Sequence, residues 1–252
     1  MNFQFAIPTP QGPSKIEVAA GSSVIFVGAN GGGKTRLAVY IENALELTAH
    51  RISAHRALGL NPEVPKISER LALLGLRTGS ATENAQKRHR EGSRWGGRMA
   101  TSLLNDFEFL IQALFAEQSN KSLETHLRVR SGDYRPAEPT KFERLAKIWE
   151  RLLPHRQLHI SGDNIEVSIS GSSGRYNASE MSDGERAIFY MIGQALVATN
   201  DSLLIVDEPE LHVHRSIMSK LWDELESARQ DCAFVFITHD LGLVARFANK
   251  VG

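Results

Sequence analysis

The chain has 252 residues, 42% of them hydrophobic, enough to bury a sizeable core as one large domain or as a domain carrying an inserted lobe. Lysine plus arginine and aspartate plus glutamate each number 29, so the formal net charge is zero; any nucleic acid or acidic membrane must be met by a local patch. The single cysteine, Cys232, excludes an intrachain disulfide framework, and with no basic leader and no run of about 18 apolar residues the expected setting is soluble and cytoplasmic, away from the membrane.

Residues 1–27 alternate as strands do. Phe3, Phe5 and Ile7 share one face, Ile16 and Val18 follow, and Val24-Ile25-Phe26-Val27 reads as a buried strand. Pro8, Pro10, Gly12 and Pro13 mark the turn between the first two runs, so a short antiparallel hairpin is expected to lead into the third.

The stretch after that strand reads G-A-N-G-G-G-K-T, Gly28 to Thr35, and runs into a helical pattern carrying Leu37, Tyr40, Ile41, Ala44 and Leu45. A complete G-x-x-x-x-G-K-T between strand and helix is a phosphate-binding loop. Gly28, Gly31, Gly32 and Gly33 let the backbone turn its N–H groups around a polyphosphate, at the positive end of the following helix. Lys34 is expected to reach the β- and γ-phosphates and the Thr35 hydroxyl to ligate Mg²⁺; Asn30 and Arg36 complete the set of expected nucleotide contacts. The expected ligands are ATP and Mg²⁺. Phe3 or Phe5 either stacks on adenine or packs inside the hairpin.

His50 to His55 suggests a second strand, with His55 and Arg56 emerging where ligands of α/β folds bind or simply ending in solvent. From Gly59 to Gly171 the αβ alternation stops. Leu103, Leu104, Phe107, Leu110, Ile111, Leu114 and Phe115 form one helix face, and Phe142, Leu145, Ala146, Ile148, Trp149 and Leu152 another, opened by a capping-box spacing at Thr140 and Glu143. Residues 87–98 hold Lys87, Arg88, His89, Arg90, Arg94, Trp95 and Arg98, either a solvated run or a contact for nucleic acid or a partner. Gln157 to Ser170 reads as a β-hairpin around Gly162-Asp163-Asn164, and Gly171 to Gly174 as a flexible link. The expected organisation is a nucleotide-binding core of residues 1–58 and 172–252, interrupted by a helical lobe of residues 59–171.

Ser182-Asp183-Gly184-Glu185 opens the apolar helix Ala187 to Ala198. Ser182 and Glu185 make a capping box, which leaves Gly184 unexplained at a cost of roughly 1 kcal/mol relative to alanine. A helix start with a free hydroxyl and bare amides suits a γ-phosphate. Leu203 to Val206 is a strand apolar on both faces, hence in a parallel sheet, and it ends in Asp207-Glu208-Pro209. Asp207 suits a Mg²⁺ contact and Glu208 a general base for the attacking water. His214 to Arg229 is an amphipathic helix, and Ala233 to Ile237 a last parallel strand ending in Thr238-His239-Asp240, whose His239 can hold the attacking water and hydrogen-bond the γ-phosphate. His212, His214 and His239 lack a fourth soft ligand at zinc spacing.

These four motifs, G-A-N-G-G-G-K-T, S-D-G-E-R, L-L-I-V-D-E-P-E-L-H and F-I-T-H-D, resemble in order and spacing the ATP-binding-cassette ATPases, and within them the soluble RecF-like, SMC-like and OLD-type branch. The E-P-E-L-H continuation looks more like the OLD and related defence ATPases than like transporter subunits, above all the ATPases of PARIS-type anti-phage systems, some fused to a TOPRIM-like domain. The resemblance covers residues 1–58 and 176–248 and is only general over the lobe. It implies an α/β P-loop NTPase of ABC-ATPase type, with a mainly parallel sheet, an N-terminal antiparallel hairpin and an inserted helical lobe.

The resemblance further implies Lys34 and Thr35 as phosphate and Mg²⁺ contacts, Asp207 as the Walker B aspartate, Glu208 as the base and His239 as the switch histidine. Ser182 and Gly184 would act in trans, in a homo-oligomer whose heads sandwich ATP, with Glu210, Leu211 and His212 near that seam. An effector protein or a fused TOPRIM-like nuclease domain is the implied partner. The signature departs from S-G-G-Q, as is usual in the soluble branch. No glutamine falls at the Q-loop position, Gln86, Gln112 and Gln118 being in the wrong setting, which leaves His55 or Arg56 as stand-ins. Relatives continue beyond the point matching Gly252, so a longer functional unit is expected. Competing readings are an ATP-dependent clamp with negligible turnover and a RecF- or SMC-like repair ATPase, although residues 59–180 lack the heptads of long arms.

Overall fold

A computed structural model describes residues 1–53, 59–94, 97 and 106–248. In chain order the elements are β1 (Asn2–Ile7), β2 (Ser14–Ala19), β3 (Ser23–Val27), α1 (Lys34–Leu45), β4 (Ala49–Ser53), α2 (Glu69–Thr78), α3 (Phe107–Arg130), α4 (Lys141–Leu152), β5 (Arg156–Ile160), β6 (Ile165–Ile169), β7 (Arg175–Asn177), α5 (Asp183–Val197), β8 (Leu203–Asp207), α6 (Arg215–Ala228), β9 (Ala233–Thr238) and α7 (Leu241–Ala248). The class is α/β, with the expected parallel sheet and N-terminal antiparallel hairpin.

By its contacts the chain divides into two units. The first comprises residues 1–56, 86–104 and 198–252, the second residues 57–85 and 105–197. This division differs from the boundaries at 58/59 and 171/172 read from periodicity: the basic segment joins the unit of the phosphate loop, and α5 joins the helical unit. Periodicity marks where elements change, whereas the units follow which segments of backbone lie close in space.

In the first unit β3, β9, β8 and β4 lie in that order, all parallel. The pairing sets Val27 beside Thr238, and Asp207 beside both Ile237 and Ser53, so the carboxyl ends line up along one edge. That edge is where an open α/β sheet binds ligands. The strands β8 and β9 are buried at every position, as their unbroken apolar runs require. Phe3, Phe5 and Val18 of the hairpin join Ala38, Ile41, Leu203, Ile205, Val235 and Ile237 in one core. Phe3 and Phe5 are therefore core residues, and the adenine-stacking alternative is set aside for both, because the apolar face of a two-stranded hairpin needs a partner to be stable.

The second unit packs α3, α4 and α5 through aromatic side chains. Phe107 stacks on Phe189 with centroids 6.1 Å apart, and Trp149 meets Phe189 edge-on at 6.4 Å. Helix α3 runs to Arg130, well past the face read up to Phe115, while Leu103 and Leu104 lie outside the described residues. Helix α2 is an element that periodicity alone does not single out, although Ser68 caps its first turn and Gly79, in the left-handed conformation, closes it. Gly75 on α2 lets Phe109 of α3 lie against its backbone, where a Cβ would collide with the ring. Thr140 and Glu143 form the expected capping box. The hairpin around Gly162 gains β7 as a third antiparallel strand beside β6, directly after the Gly171 to Gly174 link.

Candidate nucleotide site

The phosphate loop follows β3 directly. Gly31 and Gly33 have φ of 77° and 81°, and a Cβ on Gly32 would stand 2.9 Å from the Ala29 carbonyl oxygen, so the loop curves as only glycines allow. Gly33 is the N-cap of α1 and, having no side chain, makes no side-chain cap to its first turn. A helix start whose cap is a glycine, behind such a loop, fits a polyphosphate.

Lys34 is the centre of this geometry. Its Nζ donates to the Ala29 carbonyl oxygen at 3.0 Å and to Asn30 Oδ1 at 3.3 Å, and lies 3.2 Å from Glu208 Oε1. Asn30 thus holds the lysine from within the loop. Two backbone hydrogen bonds tie the motifs together: Gly28 N–H donates to the Thr238 carbonyl at 3.1 Å and Glu208 N–H to the Ile237 carbonyl at 2.8 Å. Strand register brings Glu208 and the Thr238-His239 corner to the sheet edge at which Lys34 opens α1. Thr35 is half-buried and Arg36 exposed.

Asp207 closes β8 fully buried, and Glu208 follows with φ of 51°, the left-handed region that a glutamate rarely adopts. Such a conformation costs of order 1 to 3 kcal/mol and turns the Glu208 side chain off the strand's alternation. One hydroxyl at Thr35 and one carboxylate at Asp207 are hard oxygen donors, the chemistry that suits Mg²⁺ held partly by phosphates and water.

A third acid belongs to the same corner. Glu210 Oε1 lies 2.8 Å from His239 Nδ1 and accepts from Thr238 Oγ1 at 2.8 Å and from His239 N–H at 3.1 Å. A neutral imidazole donating from Nδ1 presents Nε2 as an acceptor. The resemblance implies for Glu210 only a place near the subunit seam; its signal in the sequence is a third carboxylate, three residues past the end of a buried strand. His214 caps α6 by accepting from Ser216 N–H, an ordinary structural task.

Ser182 and Gly184 open α5 in the other unit. The Ser182 hydroxyl donates to Glu185 Oε2 at 2.8 Å and its oxygen accepts from Glu185 N–H at 3.3 Å, so it is not the free hydroxyl expected. The capping box takes it, as the spacing S-x-x-E permits. Burial pushes Glu185 up, but hydrogen bonds from Tyr176, Ser182 and Arg156 outweigh it and hold the carboxyl below its ordinary value. Tyr176, part-buried against that carboxylate, is pushed up to about 12. Ser182 and Asp183 are exposed.

The basic segment corrects another expectation. Arg90 and Arg94 are buried on Glu42 of α1, Arg90 through Nη2 and Arg94 through Nη1 at 3.4 Å, so neither is presented to a nucleic acid. Charge runs give no sign of a buried acid some fifty residues away in the chain. Arg88 is exposed; Trp95 and Arg98, like the Q-loop stand-ins His55 and Arg56, lie outside the described residues.

A family model described as "AAA domain, putative AbiEii toxin, Type IV TA system" matches residues 77–245, more than half of the chain. The chain belongs to this AAA-domain family. With its phosphate loop it is a nucleotide-binding P-loop domain. No curated protein matches it. Among solved structures, a nucleotide-free ATP-binding cassette from an ABC transporter is similar at 13% identity over 94% of this AAA domain and 78% of that chain, with a TM-score of 0.42. The SmcHead bound to the C-winged helix domain of ScpA is similar at 14% identity over 54% of this chain and 44% of its own, with a TM-score of 0.39. A Pyrococcus furiosus Smc head domain with an extended coiled coil, bound to the C-terminal domain of ScpA, is similar at 16% identity over 71% and 45%, with a TM-score of 0.35. The AAA domain spans less than half the length of the two Smc chains. Among its described residues no helix is long and apolar enough to cross a membrane.

Proposed function

We propose that the protein is a Mg²⁺-dependent ATPase of the ATP-binding-cassette kind, whose nucleotide-driven pairing controls an effector in anti-phage defence. The observation that carries the ATPase reading is the meeting of Lys34 with Glu208 at 3.2 Å, beside a loop whose glycines leave room for phosphates. Lys34 binds the β- and γ-phosphate oxygens. Glu208 takes a proton from the water that attacks the γ-phosphorus in line, and His239, steadied by Glu210, accepts a hydrogen bond from that water through Nε2. Thr35 and Asp207 would hold the magnesium, which would supply positive charge against that developing on the phosphates.

In this reading Ser182 and Gly184 of one copy complete the site of another, the amides at the start of α5 meeting the γ-phosphate while Glu185 keeps the Ser182 hydroxyl in place. ATP then closes a pair of heads and hydrolysis releases it. The controlled effector, in this reading, is a partner protein or a TOPRIM-like nuclease domain, while the family's description names a putative AbiEii toxin of a type IV TA system.

Glu208→Gln tests this. The variant should bind ATP, gain mass as a trapped oligomer and lose phosphate release by at least about a hundredfold. Undiminished turnover rejects Glu208 as base, and wild-type binding without turnover replaces the ATPase by an ATP-dependent clamp.

A further inference from the structure

Strand β4 is buried at all five positions, although it contains His50, Arg51 and Ser53. Its register puts Arg51 beside Ile205 and Ser53 beside Asp207, so Arg51 and Asp207 are diagonal neighbours on one face. A guanidinium can span that diagonal, and Arg51 Nη1 lies 3.5 Å from Asp207 Oδ2. The other side of the same guanidinium is held elsewhere, with Nε 3.1 Å from Glu42 Oε2.

Glu42, wholly buried on α1, also faces Arg90 and Arg94, which come from a single π-helical turn at residues 90–94. Arg94 Nη2 donates to the Arg51 carbonyl oxygen at 3.3 Å, and Arg90 Nη1 to the Glu46 carbonyl at 3.4 Å. Five buried side chains thus form a relay in which Glu42 is shared between the turn and Arg51. Burial lowers the pKa of Arg51 and of Arg90, with the nearby carboxylates opposing it. Replacing buried ion pairs by apolar side chains is often neutral or stabilising, so stability alone does not account for a relay that ends on Asp207. Single π-turns recur at functional sites.

We propose that Arg51 is a positioning residue that orients the Asp207 carboxylate for Mg·ATP, and that the 90–94 turn sets the strength of this hold through Glu42. With Arg90 and Arg94 sharing the Glu42 charge, Arg51 spans Glu42 through Nε and Asp207 through Nη1. When they withdraw, Glu42 claims Arg51 and Asp207 loses its support. The inference rests on the nucleotide-site reading above and adds to it a path from a surface-connected segment to the metal-binding acid.

The test is fluorescent-ATP titration of the full chain in Mg²⁺ and in EDTA, the ratio of the two affinities reporting the metal-dependent part of binding. Arg51→Met should reduce that ratio about tenfold or more and leave the EDTA affinity, which reads the loop and Lys34, unchanged. Arg51→Lys keeps the charge without the fork and should fold while losing most of the ratio. Arg90→Met with Arg94→Met should lower it in the same direction, though neither residue touches the nucleotide. A wild-type ratio in folded Arg51→Lys overturns the proposal and leaves the ATPase standing. Absence of binding to the wild type in both buffers overturns the nucleotide-site reading itself.

Discussion

Glu210 Oε1 and His239 Nδ1 are 2.8 Å apart, joining the end of β8 to the end of β9 through a carboxylate and an imidazole. A carboxylate on one ring nitrogen sets which tautomer faces the other way, as orienting acids do in many catalytic sites. Glu210→Gln should keep ATP affinity within about twofold and lower the rate of phosphate release about tenfold or more. Equal rates for variant and wild type, measured at saturating ATP, would show that the pair is only structural.

Glu208 combines a chemical role with an unfavourable backbone. Its φ of 51° penalises any side chain with a Cβ, so Glu208→Gly should be more stable than Glu208→Ala by about 1 kcal/mol, the reverse of the usual order. Both variants lose the carboxylate and should be inactive. Denaturant unfolding of the two proteins decides the point, and a less stable glycine variant would contradict the conformation.

Phe5 separates a core position from a ring-stacking one. Buried at 6% exposure in the cluster with Ile41 and Val235, it should cost about 3 kcal/mol on replacement by alanine and leave ATP affinity unchanged. A variant of wild-type stability with weakened ATP binding would restore the stacking role.

Cys232 is buried beside Arg229, and burial pushes its thiol up to about 11 in spite of that cation. Since the thiolate is the reactive form, alkylation at pH 8 should be negligible in the native protein and rapid in denaturant. Modification of the folded chain at the rate of a free thiol would refute this environment.

Much of this was legible in residue order because short-range chemistry dictates it. Gly28 to Thr35 between a strand and a helix, four apolar residues before Asp207, and Ser182 three residues before Glu185 each carry their physical reason within a few positions. The hairpin around Gly162 and the capping box at Thr140 were readable for the same cause. The fate of the arginines was not. Arg90 and Arg94 read as a solvated or nucleic-acid-facing run, yet Glu42 takes them into the interior. Phe3 and Phe5 could be assigned to stacking or to core only once α1 and the sheet were seen to cover them.

What residue order determined on its own is the set of groups that handle a triphosphate, since a glycine loop, a lysine and strand-terminal acids have these uses wherever they stand. Tertiary structure alone decided which charges answer one another: Lys34 with Glu208, Glu210 with His239, Glu42 with Arg51, Arg90 and Arg94. The reason is dielectric. A charged side chain enters the interior only where a partner waits, and partners separated by tens of residues meet through strand register and helix packing, which no local pattern records.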